Sequence, residues 1–517
     1  MSRITAFILL IAMIFFFSCT TGIREKEDTK SNDKVIPVFN NLEKYRPVFH
    51  FTPPVNWIND PNGLVYLDGE YHLFYQYNPF GDTWGHMSWG HAISADLINW
   101  NHLPVALFEE DGIMIFSGSA VVDKENTSGF CNNSQGCIMA IYTSHIEGKA
   151  QHQSIAYSRD KGRTWKKYVD NPVLDIAKKD FRDPKVFWYE PEQKWVMVVS
   201  VPLEYKVQFY QSKDLTDWRL TGEFGKEGDT SKIWECPDML QVPVENSKKR
   251  KWVLIISSGS KYGDFTGMQY FTGNFDGQKF VSDQTQEGPQ WLDQGKDFYA
   301  AITYNNLSAD SKPLLIGWVN NWRYAGSIPT SPWRGMMSIP RELTIRNVND
   351  RLCLIQKPVS SLDEWLDQFE KSSFKNHPIE ENDLLLNNFH ATAYRMKLVL
   401  ENIDAEEFGI ALLKSNDKKT ILGYNVSDKI LFLDRKNSGD VNFHEDFSSV
   451  ESVEVDLTGN QIDLDILIDR SVVEVFANDG LKVITDQVFP EDEGTGLQLY
   501  AKNGRTRVVN LELVKIH

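Results

Sequence analysis

The chain has 517 residues, of which 71 are acidic and 54 are basic, so its formal net charge is −17. This excess of negative charge argues against a nucleic-acid-binding protein, which needs clustered Lys and Arg. Hydrophobic residues make up 41% of the chain and charged residues 24%, which excludes global disorder. The length predicts two or three domains, and the aromatic content of 12% favours strand-rich structure.

The N-terminus has the pattern of a targeting segment. Arg3 precedes an apolar run over 4–17, which has the length of the hydrophobic region of a signal peptide and is short for a membrane span. Polar residues follow Cys19 at once, and the pattern resembles a bacterial lipoprotein signal in which Cys19 is lipidated. An ordinary cleaved signal is the alternative. We predict a signal peptide over 1–19, a flexible tether over 20–40 and a lipid anchor in the cell envelope, on the outer-membrane surface or the periplasmic face.

Short apolar, β-branched and aromatic runs recur roughly every 60 residues along the first part of the chain. Each is short, bounded by turn residues and typical of a buried strand. The five runs cover residues 71–75, 138–142, 195–199, 252–256 and 314–318.

A second repeated feature follows the first three runs: a Ser, an Asp two residues later and then a Trp. An Asp-initiated turn before an aromatic residue indicates a hairpin. The fourth run is followed by Asp276 and Phe280 in the same places. The three full examples are Ser94, Asp96 and Trp100; Ser158, Asp160 and Trp165; Ser212, Asp214 and Trp218.

Five units of several short strands predict a five-bladed β-propeller over residues 41–358. One long β-sandwich with coincidental spacing is the alternative. In a propeller, residues from the innermost strands of different blades meet in an axial pocket.

The chain after residue 358 lacks the repeat and predicts a second domain over 359–517. A polar, acidic stretch at 360–383 is interpreted as a linker. Residues 462–469 alternate with period two, which predicts a strand with one buried and one wet face. The predicted fold class is therefore all-β, a five-bladed β-propeller followed by a C-terminal β-sandwich that covers its flank.

Four cysteines follow Cys19, too few for a disulfide scaffold. Cys131 and Cys137 flank a polar loop and could either pair in an oxidising compartment or stay as free thiols. The histidines and cysteines lack metal-ligand spacing, and the chain has no Gly-rich phosphate loop. We therefore expect neither a metal nor a cofactor.

Three acidic residues have unusual local settings. Asp60 and Asp183 each precede a proline, which predicts an extended backbone at both. Arg182 is expected to keep Asp183 ionised. Glu235 lies between a tryptophan and a cysteine, an apolar setting that suits a general acid.

These acids precede the first, third and fourth apolar runs, so in a propeller they would all face the axis. A lone Asp-Pro is more often a simple turn, but this shared placement favours a common site. An ionised carboxylate and a protonated carboxylic acid on either side of one bond are the machinery of glycoside hydrolysis.

Six motifs resemble those of the fructan-hydrolysing enzymes of glycoside hydrolase family 32, the levanases, inulinases and invertases. They span nearly the whole predicted mature chain in order. The motifs are Trp-Ile-Asn-Asp-Pro-Asn-Gly at 57–63, Phe-Ser-Gly-Ser at 116–119, Arg-Asp-Pro at 182–184, Glu-Cys-Pro at 235–237, Asp-Phe-Tyr-Ala at 297–300 and Asp-Arg-Ser-Val-Val-Glu-Val-Phe-Ala-Asn-Asp-Gly at 469–480.

The resemblance implies a five-bladed propeller followed by a sandwich, and it implies roles for individual residues. Asp60 would be the nucleophile, Glu235 the acid and base, and Asp183 the transition-state stabiliser. Gln76, Trp84 and Trp318 have a structural alternative, as sheet-edge or core residues. The residues expected to bind the terminal fructose are Asn59, Gln76, Trp84, Phe116, Ser117, Arg182 and Trp318.

The expected activity is that of a retaining β-fructofuranosidase acting on levan or inulin, with sucrose as a further substrate, and releasing fructose from chain ends. Endo-acting hydrolysis and a sucrose-preferring invertase are the alternatives within the enzyme class. A surface fructan-binding protein without catalysis is the alternative outside it. No protein partner is expected.

The sequence departs from the family pattern at His86 and Ser88, where related levanases and inulinases often carry Pro and His. This stretch is expected near the rim of the pocket, so the departure bears on substrate preference more than on catalysis. The stretch at 469–471 is expected to support the propeller from the second domain.

Overall fold

The structure is a computed structural model that describes residues 43–131, 136–283, 288–381 and 383–516. The predicted signal peptide, Cys19 and the predicted tether lie outside the described residues. Regular structure in the described part is almost entirely β. Two short 3₁₀ helices cover Glu190–Glu192 and Pro202–Glu204.

Five antiparallel sheets succeed one another along the first part of the chain. The first contains β1 (Asn56–Leu67), β2 (Glu70–Tyr77), β3 (Ser88–Ser94) and β4 (Asn101–Leu107). The second contains β5 (Met114–Val122), β6 (Ile138–His145), β7 (His152–Ser158) and β8 (Lys166–Lys167). The third contains β9 (Arg182–Tyr189), β10 (Lys194–Val201), β11 (Lys206–Ser212) and β12 (Arg219–Gly225).

The fourth sheet contains β13 (Glu235–Pro243), β14 (Arg250–Ser260), β15 (Gly263–Phe275), β16 (Phe280–Ser282) and β17 (Gln290–Trp291). The strands that follow are β18 (Tyr299–Thr303), β19 (Leu314–Val319), β20 (Trp333–Arg334), β21 (Met336–Met337), β22 (Arg341–Val348) and β23 (Arg351–Pro358). They form the fifth sheet, except that β20 pairs in parallel with β1.

The first strands of the five sheets form a closed ring, because β1 contacts β5, β5 contacts β9, β9 contacts β13, β13 contacts β18 and β18 contacts β1. This confirms the predicted five-bladed propeller. The five predicted apolar runs fall in the second strands, β2, β6, β10, β14 and β19.

These second strands are apolar on both faces because each lies between two neighbouring blades. In β10, for example, Met197 packs toward the second blade and Val198 toward the fourth. The repeated Ser–Asp feature forms the turn before the outermost strand. At the first of these turns, Asp96 Oδ1 accepts the Ser94 hydroxyl and the Asn99 backbone N–H.

The second part of the chain is a β-sandwich, as predicted. After a helix α1 (Ser361–Leu366), its strands are β24 (Lys371–Ile379), β25 (Ala393–Asn402), β26 (Glu407–Lys414), β27 (Thr420–Asn425), β28 (Ile430–Asp434), β29 (Val450–Glu454), β30 (Gln461–Asp469), β31 (Val472–Ala477), β32 (Lys482–Gln487), β33 (Gly496–Lys502) and β34 (Thr506–Lys515). One sheet has the order β24-β34-β25-β30-β31-β32 and the other β29-β28-β27-β26-β33.

Two expectations about this region were wrong. The stretch at 360–383 is not a linker: Leu362 and Leu366 of α1 are buried, and β24 pairs along β34. In β30, Asp463 is exposed as predicted, but Leu467 and Asp469 on the same face are buried. The propeller covers this end of the strand, so only its first half has a wet face.

The two parts of the molecule share buried residues. Leu467 of the sandwich lies in one hydrophobic cluster with Ile58 and Leu73 of the first blade. Asp469 accepts the backbone N–H groups of Val48, Phe49 and His50. This contact fits the expected supporting role of the 469–471 stretch.

Cys131 and Cys137, whose state the sequence left open, form a disulfide, while Cys236 and Cys353 are free. Over the described ranges, no helix is long and apolar enough to cross a membrane. The same residues contain no group of three or more His, Cys, Asp or Glu side chains arranged to hold a metal ion.

Candidate active site

The innermost strand of every blade is irregular where it approaches the pocket. Such bulges re-aim side chains and increase the local twist of a strand. Pro61, Pro184 and Pro237 lie at positions of the innermost strands that have no ladder partner on the axial side, so they fit there without loss of a ladder hydrogen bond. The irregular pairings lie between Ile58 and Pro61, Phe116 and Gly118, Arg182 and Lys185, Glu235 and Asp238, and Tyr299 and Ile302.

Asp60 lies in β1 with its carboxylate buried and fixed by two donors. The Ser117 hydroxyl donates to Asp60 Oδ2 at 2.6 Å, and the Asn59 amide donates to Oδ1 at 3.0 Å. The Trp57 indole N–H in turn donates to Asn59 Oδ1 at 2.8 Å. Burial raises the pKa of Asp60, and the hydrogen bonds from Ser117 and Asn59 oppose this rise.

Asp183, at the start of β9, corrects two expectations. Its backbone is not extended but left-handed, with φ of +65°. Burial raises its pKa to about 7, and the neighbouring Arg182 only partly offsets this effect. Asp183 Oδ2 accepts the Cys236 backbone N–H at 2.9 Å. Arg182 therefore does not hold this acid firmly ionised.

Glu235 begins β13, and its side chain is 22% exposed. Arg182 Nη2 donates to Glu235 Oε1 at 3.0 Å, and the Tyr299 hydroxyl donates to Oε2 at 2.8 Å. The expected enclosure by Trp234 is wrong, because that ring packs near Phe271 in the core between blades. Polar neighbours, not apolar ones, therefore surround the Glu235 carboxylate.

The three carboxylates form one cluster around Cys236. Its sulfur lies 3.5 Å from Asp60 Oδ2 and 3.7 Å from Asp183 Oδ2. Burial and the nearby acids raise the pKa of this thiol well above its usual range, so it stays protonated and acts as a weak donor. Arg182 completes the cluster, with Nε 4.0 Å from Asp183 Oδ2.

Three other residues predicted to bind sugar lie around this cluster. The Gln76 amide donates to the Ile115 carbonyl at 3.0 Å. The Trp84 ring is 47% exposed and meets Phe116 edge to face, with 6.2 Å between ring centroids. Phe116 directly precedes Ser117, so Trp84 stands at the mouth of the pocket.

Trp318 does not reach the pocket surface. It is fully buried, whereas its neighbour Trp322 is 38% exposed. Trp322 stacks on Trp57 with 6.1 Å between ring centroids and lies 4.8 Å from Trp318. Direct contact between Trp318 and a bound sugar is therefore excluded in this conformation.

Three pocket residues were not predicted individually: Cys236, Tyr299 and Trp322. Cys236 and Tyr299 stand inside motifs that the sequence shares with the family, at 235–237 and 297–300. Trp318 lies inside the strand run at 314–318, whereas Trp322 follows that run and two asparagines. The sequence does not show that Trp322 rather than Trp318 is the exposed ring.

The pocket combines a buried carboxylate held by two donors with a second carboxylate that is partly exposed and bound by Arg182 and Tyr299. This pair can supply a nucleophile and a proton donor to opposite sides of one glycosidic bond. Fold and site together define the chain as a glycoside hydrolase.

Comparison with known proteins identifies the family. Residues 50–358 match the family described as Glycosyl hydrolases family 32 N-terminal domain, and residues 364–515 match Glycosyl hydrolases family 32 C terminal. The chain belongs to glycosyl hydrolase family 32.

Several relatives are similar over most of the chain. A levanase from Bacillus subtilis (strain 168) is 45% identical over 480 residues, which cover 91% of this chain and 70% of the relative. An extracellular exo-inulinase from Aspergillus awamori is 39% identical over 518 residues, covering 92% and 96%. The crystal structure of exo-inulinase from Aspergillus awamori superposes with a TM-score of 0.87 at 37% identity, over 93% of this chain and 99% of that one. A fructofuranosidase from Schwanniomyces occidentalis complexed with fructose gives a TM-score of 0.83 at 34% identity, with the same coverage.

Proposed function

We propose that this protein is a retaining β-fructofuranosidase that hydrolyses fructans from their ends and releases fructose. The observation that carries the proposal is the cluster of Asp60, Asp183 and Glu235 around one thiol and one guanidinium. The relatives named levanase, exo-inulinase and fructofuranosidase support fructosyl units as the substrate.

Asp60 acts as the nucleophile. Ser117 and Asn59 each hold one of its carboxylate oxygens, which fixes the direction of attack on the anomeric carbon. Bond formation to that carbon is accompanied by cleavage of the bond to the leaving oxygen, and a covalent fructosyl-enzyme results.

Glu235 protonates the leaving oxygen and then takes a proton from the water that hydrolyses the intermediate. Arg182 and Tyr299 orient its two oxygens. Asp183 and Arg182 bind fructose hydroxyls, and the Asp183 carboxylate stabilises the positive charge that develops on the sugar.

The aromatic side chains at the mouth contribute to the subsite for the terminal fructose. Trp84, Phe116 and Trp322 present ring surface beside the cluster. Such rings bind the apolar face of a sugar, while Asn59 and Gln76 offer amides to its hydroxyls.

The experiment that tests this function is early-time product chromatography on levan and on inulin, with Glu235→Gln as the matched blank. Fructose alone from the first time points is the expected result, and the faster polymer identifies the preferred linkage. A ladder of oligosaccharides would replace exo with endo action, and cleavage of sucrose alone would indicate an invertase. Polymer binding without any turnover by the parent protein would indicate a binding protein instead.

We also propose that the protein is exported and anchored in the cell envelope through a lipid on Cys19. The sequence pattern at 1–19 and the extracellular relative from Aspergillus awamori support export. Labelled fatty acid should enter the parent protein and not Cys19→Ala, and the variant should leave the membrane fraction. Equal labelling of both proteins would contradict the anchor.

A further inference from the structure

A segment beside the pocket, residues 84–88 at the end of the β2–β3 loop and the start of β3, carries both positions at which the sequence departs from the family pattern. Trp84 at its start faces Phe116. The Met87 carbonyl accepts the Ile115 N–H at 2.8 Å. Ile115 is two residues from Ser117, the donor to Asp60, so the loop borders the catalytic pocket.

His86 and Ser88 belong to one hydrogen-bonded unit with Glu109. His86 Nδ1 lies 2.7 Å from Glu109 Oε2. The buried Ser88 hydroxyl donates to the His86 carbonyl at 3.2 Å and accepts the Glu109 backbone N–H at 3.0 Å. Ser88 therefore fixes the backbones of both partners, and the His86–Glu109 pair is a built feature of the rim.

The loop holds His86 in a backbone conformation that costs free energy. Its φ is +51°, in the left-handed region that residues other than glycine rarely adopt. A proline ring fixes φ near −65°, so this conformation is closed to proline. Strain of this kind persists where the surrounding structure enforces it, often at binding sites. Here it presents the imidazole, which is 60% exposed, at the mouth of the pocket.

The rim also exposes aromatic surface. Phe80 is 71% exposed and meets His86 edge to face, with 5.3 Å between ring centroids. An exposed ring next to a carboxylate and an imidazole suits a sugar, whose C–H face packs on the ring while its hydroxyls bind the polar groups.

We propose that the His86–Glu109 pair, with Phe80, binds the sugar on the leaving-group side of the cleaved bond and sets the preference among fructan linkages. Linkage decides how this second sugar is oriented, because the fructosyl unit itself is fixed by the pocket. The pair lies outside the carboxylate cluster, so it acts on substrate choice. The inference rests on the proposed function.

The test compares substrates that share the fructosyl unit and differ in the leaving group. Methyl β-fructofuranoside has no sugar on that side, whereas β-2,1- and β-2,6-linked trisaccharides do. His86→Gly removes the imidazole and tolerates the left-handed backbone, and Glu109→Gln removes the charge while keeping the shape. His377→Ala breaks a comparable pair, His377 with Asp383 at 2.8 Å, on the sandwich and serves as the control.

In both rim variants, the ratio of kcat/KM on the preferred trisaccharide to kcat/KM on methyl β-fructofuranoside should fall about tenfold, as for loss of one charge-assisted contact. The preference between β-2,1 and β-2,6 linkages should change with it. The double variant should lose no more than either single variant, because the two residues act as a unit. The control should keep the parent ratios.

Ratios within twofold of the parent in both rim variants would overturn the inference. An equal fall on all substrates would also overturn it, because the pair would then serve the catalytic pocket. A parent protein that cleaves no fructoside would instead refute the proposed function, and this inference with it.

Discussion

The Asp183 carboxylate is buried away from solvent and lies close to the carboxylates of Glu235 and Asp60. Burial and the charges of Glu235 and Asp60 raise its pKa, and Arg182 offsets only part of the effect. Its left-handed backbone adds a further cost. The site is thus organised for chemistry at the expense of fold stability, which is a common compromise in enzymes.

We expect Asp183→Asn to lower kcat at least about 100-fold and to stabilise the fold. The pKa of Asp183 is higher in the fold than in the unfolded chain, so the parent loses stability as pH rises from about 4 through about 7. The variant carries no charge at this position, so it should be more stable than the parent by about 4 kcal/mol at pH 8, with little difference at pH 4. Thermal unfolding at the two pH values and sucrose turnover check both statements.

Asp238→Asn is the matched control for that experiment. Asp238 is also buried, but its carboxylate pairs with Lys185 Nζ at 2.8 Å. Removing its charge leaves the buried ammonium without a charged partner, although Thr303 still accepts from it, so this variant should be less stable than the parent. Equal stability changes in the two variants would contradict the explanation.

Ser117→Ala should weaken catalysis through Asp60. The lost hydrogen bond, 2.6 Å long, opposes the rise in the Asp60 pKa, so its removal raises that pKa further. We expect kcat/KM to fall about 10- to 100-fold and the acidic limb of its pH profile to move to higher pH. Ser154→Ala removes a buried hydroxyl from the same blade, bonded to Ser144, and should leave the limb in place. An unchanged limb in Ser117→Ala would refute this role.

At the scale of elements, the bulges of the innermost strands carry the function. Apart from the short pairing of β1 with β20, each of these strands is the free edge of its blade, so it can bend without breaking an inner ladder. The bulge in β5 depends on Gly118, whose N–H donates to Asn62 Oδ1 at 3.1 Å and connects two blades. A side chain at this position has no room, because a Cβ would lie 2.1 Å from the Ile141 carbonyl oxygen.

Gly118→Ala should therefore push β5 away from β6. We expect a loss of about 2 kcal/mol of stability, the usual cost of overpacking, together with lower kcat because Ser117 moves. Thermal unfolding and turnover of sucrose measure the two effects. Gly326→Ala is the control, since a Cβ there meets nothing within 4 Å. A Gly118→Ala protein as stable as this control would contradict the prediction, because β5 would then accommodate the added Cβ without loss of stability.

At the scale of the whole molecule, the propeller and the sandwich share a buried ionic network. His50 Nδ1 lies 2.9 Å from Asp469 and its Nε2 lies 3.1 Å from Glu474. Glu474 also accepts from the Arg341 guanidinium at 2.7 Å. Burial alone would lower the pKa of His50, but the two acids outweigh it and raise the pKa to about 9.

This network makes stability depend on pH in the alkaline range. A raised histidine pKa stabilises the fold fully below about 6.5, and the contribution disappears as pH rises through about 9. His50→Gln should be less stable by about 3 kcal/mol at pH 6, and its melting temperature should change less between pH 6.5 and 9.5. His390→Gln, on the sandwich surface, is the control. Parallel melting curves for His50→Gln and the parent would contradict the assignment.

Much of the fold could be predicted from short patterns. The runs at 71–75 and 195–199 are apolar because both faces of β2 and β10 pack against another part of the protein. Burial on both faces selects apolar residues, so such strands can be recognised from their composition. Asp60, Asp183 and Glu235 could be placed on a common axis because each precedes such a run. The stretch at 360–383 was wrongly interpreted as a linker because its polar residues lie on the exposed faces of a helix and an edge strand.

Other properties depend on contacts that no local pattern contains. The left-handed backbone of Asp183 is set by the bulge and by Cys236, 53 residues further along the chain. Burial of Trp318 and exposure of Trp322 depend on how these two rings pack against each other and against Trp57. The charge of His50 depends on acids more than 400 residues away.

The sequence by itself determined the strands, their grouping into blades and the choice of candidate acids, because periodicity, turn residues and motifs are local. Only the tertiary structure decided which rings face the pocket, where Arg182 and Tyr299 hold Glu235, and how the rim pairs His86 with Glu109. These outcomes depend on distance and solvation, and both are set by chain segments that meet only in the fold.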